Sequence, residues 1–411
     1  MPPAPALPSL RSAPDAGAPN GVPLRSLQLR AALALPAGLL SVPYHVVAYY
    51  ACGRPARSLL AYLLARVVYT ISCWTPVFRD PESWDEAASL SPPSIDPAAG
   101  RAYAGLEVAV VTVPEGTRPQ EAYTLGPSGV EKAERPAFII TPPGARGRAD
   151  SRAAPGEKLI LYIHGGAYVM GHPLWTPFPA TLARATALRV LGAQYRKAVS
   201  EATAFPAPLL DAAAAWEYAT ETLGFAARDI VLAGDSAGGH LALALLSHLG
   251  ATGQAVPGGL ALLSPWSDFT ASFDSYAANE GSDFLVAAGL ARAVRSATRH
   301  YTPESVAAQL FAPALAPEGA WRHLAGTRAF VWAGTREIFF GEVQALVKGL
   351  RRDGVSVEFV EDEDGVHNGA MLPPAFVGHE GAARFNAGVR DIVRDLYVAN
   401  GEDVYLPYAV A

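Results

Sequence analysis

Two cysteines in 411 residues, Cys52 and Cys73, are too few for a disulfide framework or a thiolate metal site. Both lie in apolar surroundings and read as buried thiols. Charge is also scarce: charged residues make up 17% of the chain, the formal net charge is -6, and there is no Lys/Arg run long enough to track a phosphate backbone. That argues against a nucleic-acid partner. No internal repeat is present, so solenoid and propeller architectures drop out. What the chain has instead is apolar content, 50% of its residues, ample for a large core.

Three zones follow one another. Residues 1–21 are rich in Pro and Ala and read as a disordered leader. Residues 31–78 are strongly apolar. From about residue 101 onward, short β-rich runs alternate with helical patterns. The expected strands are 106–113, 137–140, 158–165, 188–195, 229–234, 259–264, 328–334 and 355–361. Helical periodicity falls at 208–223, 237–249, 341–353 and 381–398. Several of these strands are apolar throughout, which a parallel sheet covered on both faces requires. The expectation is an α/β fold: a mostly parallel, doubly wound sheet of eight strands flanked by helices, occupying residues 101–411.

Within that frame, Gly234-Asp235-Ser236-Ala237-Gly238 stands between an expected strand and an expected helix. G-x-S-x-G in that context is a nucleophile elbow, a turn that lifts a serine clear of the sheet. The helix behind it offers free N–H groups to a developing oxyanion. A second motif, "HGGAY" (His164 to Tyr168), directly follows another strand. Adjacent glycines let a backbone approach a substrate closely, and acyl transfer needs such N–H donors held ready. Gly165, Gly166 and Ala237 are the expected oxyanion donors.

This fold orders its triad Ser, acid, His along the chain. His367, in the loop "EDEDGVHNGAM" after the last strand, is the expected base. His379, at a helix start, is the rival; His240 and His248 fall inside the helix after the elbow, and His164 reads as a brace for its own loop. The acid is expected after strand 328–334, where Glu337 stands three residues past Gly334. Asp362, Asp364 and Glu342 remain alternatives, the first two more simply read as solvated and the third as a first-turn helix acid.

"HGGAY", "GDSAGGHLAL", "YRKA…FPAPLLDA", "LLSPWSD" and "GVHNG" together resemble the hormone-sensitive-lipase-like esterases, with their arylacetamide-deacetylase-like and steryl-acetyl-hydrolase-like members, over about residues 155–395. The resemblance implies an α/β-hydrolase fold, carboxylic ester hydrolysis without cofactor or metal, and a helical cap. Its expected place is the long stretch 268–325, with a helix over 284–301, joined by the N-terminal zone. Trp74, Trp84, Trp175 and Trp266 are candidate pocket walls. The chain departs from the family in carrying Glu337 where a G-x-x-D-x-L pattern has Asp. It departs again in "YRKAVSEATAFPA", which lacks the family's Leu-Ala-Pro-Glu.

The expected activity is therefore serine-dependent hydrolysis of small-molecule or lipid esters carrying short- to medium-chain or acetyl groups. Amide hydrolysis uses the same triad. Some relatives are non-catalytic small-molecule receptors that have lost the histidine, which His367 argues against here. Residues 31–53 carry no formal charge over 23 positions, long enough to span a bilayer, with Pro36, Pro43 and His45 weakening the span. Residues 31–78 thus read either as a membrane anchor, for instance at the endoplasmic reticulum, or as cap helices of a cytoplasmic enzyme that dip into lipid. The 30-residue leader speaks against a cleaved signal peptide.

Overall fold

Residues of alternating side along each strand feed two separate cores. On the strands at 159–163 and 230–235, Leu159, Leu161, Ile163, Ile230 and Leu232 belong to one core, whereas Ile160, Tyr162, Val231 and Ala233 belong to the other. All are buried, so the sheet is covered on both faces, as their unbroken apolarity requires. The computed structural model describes residues 102–117, 129–306, 308–372 and 380–404, with 33, 36–51, 59, 63, 66 and 67 of the N-terminal zone. The leader, both cysteines, Trp74, Trp84 and His379 lie outside the described residues.

The strands are β1 (Glu107–Val113), β2 (Arg135–Thr141), β3 (Leu159–Ile163), β4 (Arg189–Ala193), β5 (Ile230–Asp235), β6 (Gly259–Leu263), β7 (Arg328–Gly334) and β8 (Ser356–Asp362). They form one sheet in the order β1-β2-β4-β3-β5-β6-β7-β8. Strand β2 runs antiparallel to β1 and β4, and β3 to β8 are mutually parallel with β4. Every expected strand is found.

The helices are α1 (Val42–Ala51), α2 (Phe178–Thr186), α3 (Ala207–Glu217), α4 (Ala237–Ala251), α5 (Ser275–Asn279), α6 (Ala287–Ala297), α7 (Pro303–Val306), α8 (Phe340–Arg352) and α9 (Glu380–Ala399). α3, α4 and α8 pack on one face of the sheet, α2 and α9 on the other. Two helices differ from expectation. The helix expected over 208–223 ends at Glu217 and continues as a π-helical turn, Tyr218–Thr222. There the Thr220 hydroxyl donates to the Trp216 carbonyl at 2.9 Å, a contact that bends helices. The helix expected from 284 starts only at Ala287, because Asp283 is drawn toward the loop after β7, accepting from Ile338 N–H, and Phe284 N–H donates to the Asp283 side chain.

In the N-terminal zone, α1 has 10 residues, and among the described residues no helix is long and apolar enough to cross a membrane. Arg66 joins the zone to the β6–β7 connection, donating to the Gly281 carbonyl at 2.6 Å.

The chain leaves β3 for β4 on one side, while β5 flanks β3 on the other. A crevice therefore opens at the carboxyl ends of β3 and β5, the place where open α/β sheets hold their ligands.

Candidate active site

Ser236 follows β5 with φ 52° and ψ -123°, a conformation that costs on the order of 1–3 kcal/mol for a non-glycine residue. Its backbone is held by three hydrogen bonds: its N–H donates to Leu263 O at 3.0 Å, and its carbonyl accepts from Trp266 N–H at 3.0 Å and from His240 N–H at 3.1 Å. The flanking glycines are needed for space. A Cβ on Gly234 would lie 2.6 Å from the Gly238 carbonyl oxygen, and one on Gly238 would lie 2.1 Å from that of Ile163. Strand, turn and helix backbones therefore touch directly, which answers why a single serine sits among so many glycines.

β3 delivers His164, Gly165 and Gly166 beside this elbow. A Cβ on Gly165 would meet Asp235 Oδ2 at 2.3 Å and Ser236 Cβ at 3.0 Å. The Gly165 N–H, expected to face the oxyanion, instead donates to Asp235 Oδ1 at 3.0 Å and is already committed. The N–H groups of Gly166, Ala167 and Ala237 donate to no carbonyl or carboxylate among the described residues. Both Gly166 (φ 115°) and Ala167 (φ 52°) have left-handed backbones, so the loop turns sharply past the elbow. His164 braces it from behind. Its Nδ1 lies 2.7 Å from the Gly165 carbonyl, its ring stacks on Tyr195 at 4.5 Å, and burial holds it far below the usual imidazole range.

His367 and Glu337, the candidate base and acid, arrive from β8 and β7. His367 lies five residues beyond Asp362, the last of β8, and Glu337 three beyond Gly334, the last of β7. Their side chains meet: His367 Nδ1 and Glu337 Oε2 are 3.4 Å apart, both buried. Burial pushes the Glu337 carboxyl up to about 8. Burial also lowers His367, opposed by the charges of Asp283 and Asp235. Of the other candidates, Asp364, Glu342 and His240 are engaged elsewhere, while the Asp362 carboxyl, expected to be solvated, is partly buried and raised to about 6 by burial and the charge of Glu337. Asp364 pairs with Arg336. Asp362 closes the strand, its carbonyl accepting from the N–H groups of Thr335 and Gly365. Glu342 is buried and ties down the loop after β6, accepting from Ser267 N–H at 2.5 Å and Tyr276 O–H at 2.9 Å. His240 is packed inside α4, stacked on Phe269 at 4.2 Å and 2.6 Å from the Tyr168 hydroxyl. Trp266 is buried against Phe339, and Trp175 is exposed.

Two buried carboxylates near Ser236 and the Glu337–His367 pair went unnoticed in the sequence. Asp235 accepts from Tyr162 O–H at 2.6 Å, Gly165 N–H at 3.0 Å and Asn368 Nδ2 at 3.0 Å, so one side chain joins the loops after β3, β5 and β8. Asp283, in the β6–β7 connection, accepts from the backbone N–H of Ile338 at 3.0 Å and of His367 at 3.2 Å. The signal for Asp235 was a carboxylate ending an otherwise apolar strand. Asp283 offered none, since its partners lie 55 and 84 residues away.

The family model for the alpha/beta hydrolase fold matches residues 160–371, more than half of the chain. The chain belongs to the α/β-hydrolase family. Over 206 residues it is 29% identical to an acetyl-hydrolase of Streptomyces hygroscopicus, a match covering 50% of this chain and 65% of that protein. It is 31% identical over 165 residues to an esterase of Acinetobacter venetianus, covering 40% of this chain and 52% of that one. The chain thus spans less than two thirds of the length of these relatives. Among solved structures, a hormone-sensitive lipase from a metagenome library superposes with TM-score 0.57 at 22% identity, over 77% of this chain and 95% of that one. An esterase of the bacterial hormone-sensitive lipase family does so with TM-score 0.57 at 22% identity, over 90% and 99%. At these identities the likeness is one of fold. Within this α/β hydrolase, Ser236, Glu337 and His367 follow one another in the chain order that the fold expects of a nucleophile, an acid and a histidine.

Proposed function

We propose that the protein hydrolyses carboxylic esters with Ser236 as nucleophile, His367 as general base and Glu337 as its orienting acid. The observation that carries this reading is the Glu337–His367 contact of 3.4 Å on loops leaving the same sheet edge as the strained Ser236 turn. Glu337 engages Nδ1, which leaves Nε2 to serve the serine. Ser236 Oγ attacks the ester carbonyl while its proton passes to His367. The tetrahedral oxyanion is held by the N–H groups of Gly166, Ala167 and Ala237. Collapse breaks the bond to the alcohol oxygen, which takes the proton from His367, and an acyl-enzyme remains. Water then gives a proton to His367 and attacks the acyl carbon. The acid leaves, and Oγ recovers its proton.

The names of the relatives, acetyl-hydrolase and esterase, favour acetyl and other short acyl groups as substrates. The long connection between β6 and β7, with α5 to α7, is suited to serve as a cap. A series of p-nitrophenyl esters from acetate to palmitate tests the reading. Ser236→Ala is expected to lose turnover on the order of 10⁴-fold or more in a folded protein. Near-wild-type turnover by that variant overturns it.

We further infer that the N-terminal zone docks on a lipid surface rather than spanning a bilayer. α1 buries His45 and Tyr49 but turns outward Tyr44, Val47 and Tyr50, which are 72%, 69% and 56% exposed, next to Leu40 at 80%. An apolar stripe with aromatic residues and no charge suits the headgroup boundary. Deleting the first 80 residues is expected to abolish flotation with phosphatidylcholine vesicles. Flotation unchanged by the deletion, or absent from the full chain, refutes the docking.

A further inference from the structure

The acid of this site is held from outside the sheet. Residues 335–338, which carry Glu337, are bound along their length by residues 275–283 of the β6–β7 connection. Ser275 Oγ donates to Ile338 O at 2.7 Å. Asn279 Nδ2 donates to Thr335 O at 3.2 Å and to Glu337 O at 2.9 Å. Ser282 Oγ donates to Arg336 O at 3.3 Å. Asp283 completes the set: its Oδ2 accepts from Ile338 N–H at 3.0 Å, while its Oδ1 accepts from Phe284 N–H at 2.7 Å and His367 N–H at 3.2 Å. It is fully buried.

One carboxylate therefore grips the main chain at His367 itself and at the residue after Glu337. We propose that Asp283 is a positioning residue for the reaction: it fixes the spacing of Glu337 and His367, and its negative charge stabilises the imidazolium that forms when Ser236 is deprotonated. This rests on the reading of His367 as the base. Such a clamp answers a specific need. Glutamate has one more rotatable bond than aspartate and loses more side-chain freedom when held in one geometry. Its backbone must be pinned if the carboxylate is to meet Nδ1. The donors to Asp283 are charge-assisted hydrogen bonds, stronger than the neutral kind, and suit a fixed point.

The charged groups facing His367 are Glu337 from the β7 loop, Asp283 from the β6–β7 connection and Asp235 from β5. The rings of Phe284 and Phe339 stand edge-on to the imidazole at 5.8 Å and 5.0 Å and carry no charge. Burial pushes the Asp283 carboxyl up to about 6, with the charge on His367 acting against the rise. The base must be neutral to work, so kcat/KM falls as the pH drops and His367 takes a proton. Removing a facing negative charge weakens the imidazolium, and the acid limb moves to lower pH.

The test is the pH dependence of kcat and kcat/KM on p-nitrophenyl acetate for the wild type, Asp283→Asn, Asn279→Ala and Ser282→Ala. Asp283→Asn is expected to cut kcat by about 10- to 100-fold, the scale of a small misplacement of reacting groups, with KM little changed. Its acid limb is expected to move to lower pH by about half a unit or more. Asn279→Ala and Ser282→Ala are expected to cut kcat while leaving the acid limb in place, since they loosen the loop without removing charge. A folded Asp283→Asn enzyme with wild-type kcat and an unmoved limb overturns the proposal. If Asp283→Asn does not fold, the other two variants decide: wild-type kcat in both overturns it. Ser236→Ala and His367→Ala separate the two readings. If either retains turnover, the triad assignment fails; if both lose it while Asp283→Asn behaves as wild type, the clamp alone fails.

Discussion

Burial holds the Glu337 carboxyl up at about 8, so its charge is fully present only above that pH; there Glu337→Gln removes one charge and almost no volume, and its effect measures what the carboxylate does for His367. At the observed 3.4 Å and an effective dielectric of about 20, the attraction between a carboxylate and an imidazolium is about 5 kcal/mol. Fully lost in the transition state, that corresponds to between 10³- and 10⁴-fold in rate, at about 1.4 kcal/mol per tenfold. Two features of the site change the figure in opposite directions. Asp283 and Asp235 still face the imidazole and retain part of the attraction. The glutamine amide can instead present an N–H to Nδ1 and favour the wrong tautomer, which adds to the loss. The expected fall in kcat is thus about 10²- to 10⁴-fold. KM on p-nitrophenyl acetate should barely change, because Glu337 lies behind the histidine. Steady-state kinetics at about pH 9, above the Glu337 titration, with the fold checked by circular dichroism, gives the number. A folded Glu337→Gln enzyme within tenfold of wild type refutes the assignment of the acid, as does a larger loss in Asp362→Asn or Asp364→Asn.

His367→Ala is expected to match Ser236→Ala in its loss of kcat, because base and nucleophile act as one unit; turnover well above that of Ser236→Ala on the same ester excludes His367 as base. Gly165→Ala is expected to fold less stably and to lose activity, since its Cβ would fall 2.3 Å from Asp235 Oδ2 and push the oxyanion loop off the elbow. Thermal unfolding and kcat of that variant check the point, and wild-type values for both contradict the close approach.

The sheet was legible because its signal is local. The central parallel strands β3, β5 and β6 are short, unbroken apolar runs followed by a glycine or a polar residue, while the edge strand β8 alternates apolar and charged residues, and both patterns need no knowledge of their neighbours. The elbow was legible for the same reason, since Gly234, Ser236 and Gly238 lie within one turn. His367 and Glu337 could be singled out as candidates because the fold fixes after which strands a base and an acid are expected. The backbone donors around the elbow were less legible. The two glycines after His164 look alike in sequence, and only the position of Asp235 shows that the Gly165 N–H is taken while that of Gly166 is not. Asp283 was illegible for a physical reason: its partners are backbone groups, which have no residue identity, far along the chain.

The site falls into two halves with different mechanical supports. Ser236, Gly165 and Asp235 are fixed by backbone contacts at the ends of adjacent β3 and β5, where any shift drives an atom into a carbonyl. That half can keep the strain at Ser236 whatever happens above the sheet. The acid, by contrast, sits on a loop whose carbonyls are held by Ser275, Asn279 and Ser282 of the β6–β7 connection. The same connection receives Arg66 at Gly281, two residues before Asp283. A disturbance of the N-terminal zone therefore has a short route, through Arg66 and Gly281, to Glu337 and His367. The catalytic cost of such a disturbance should fall on proton transfer, seen in kcat and its pH dependence, while the elbow itself stays intact.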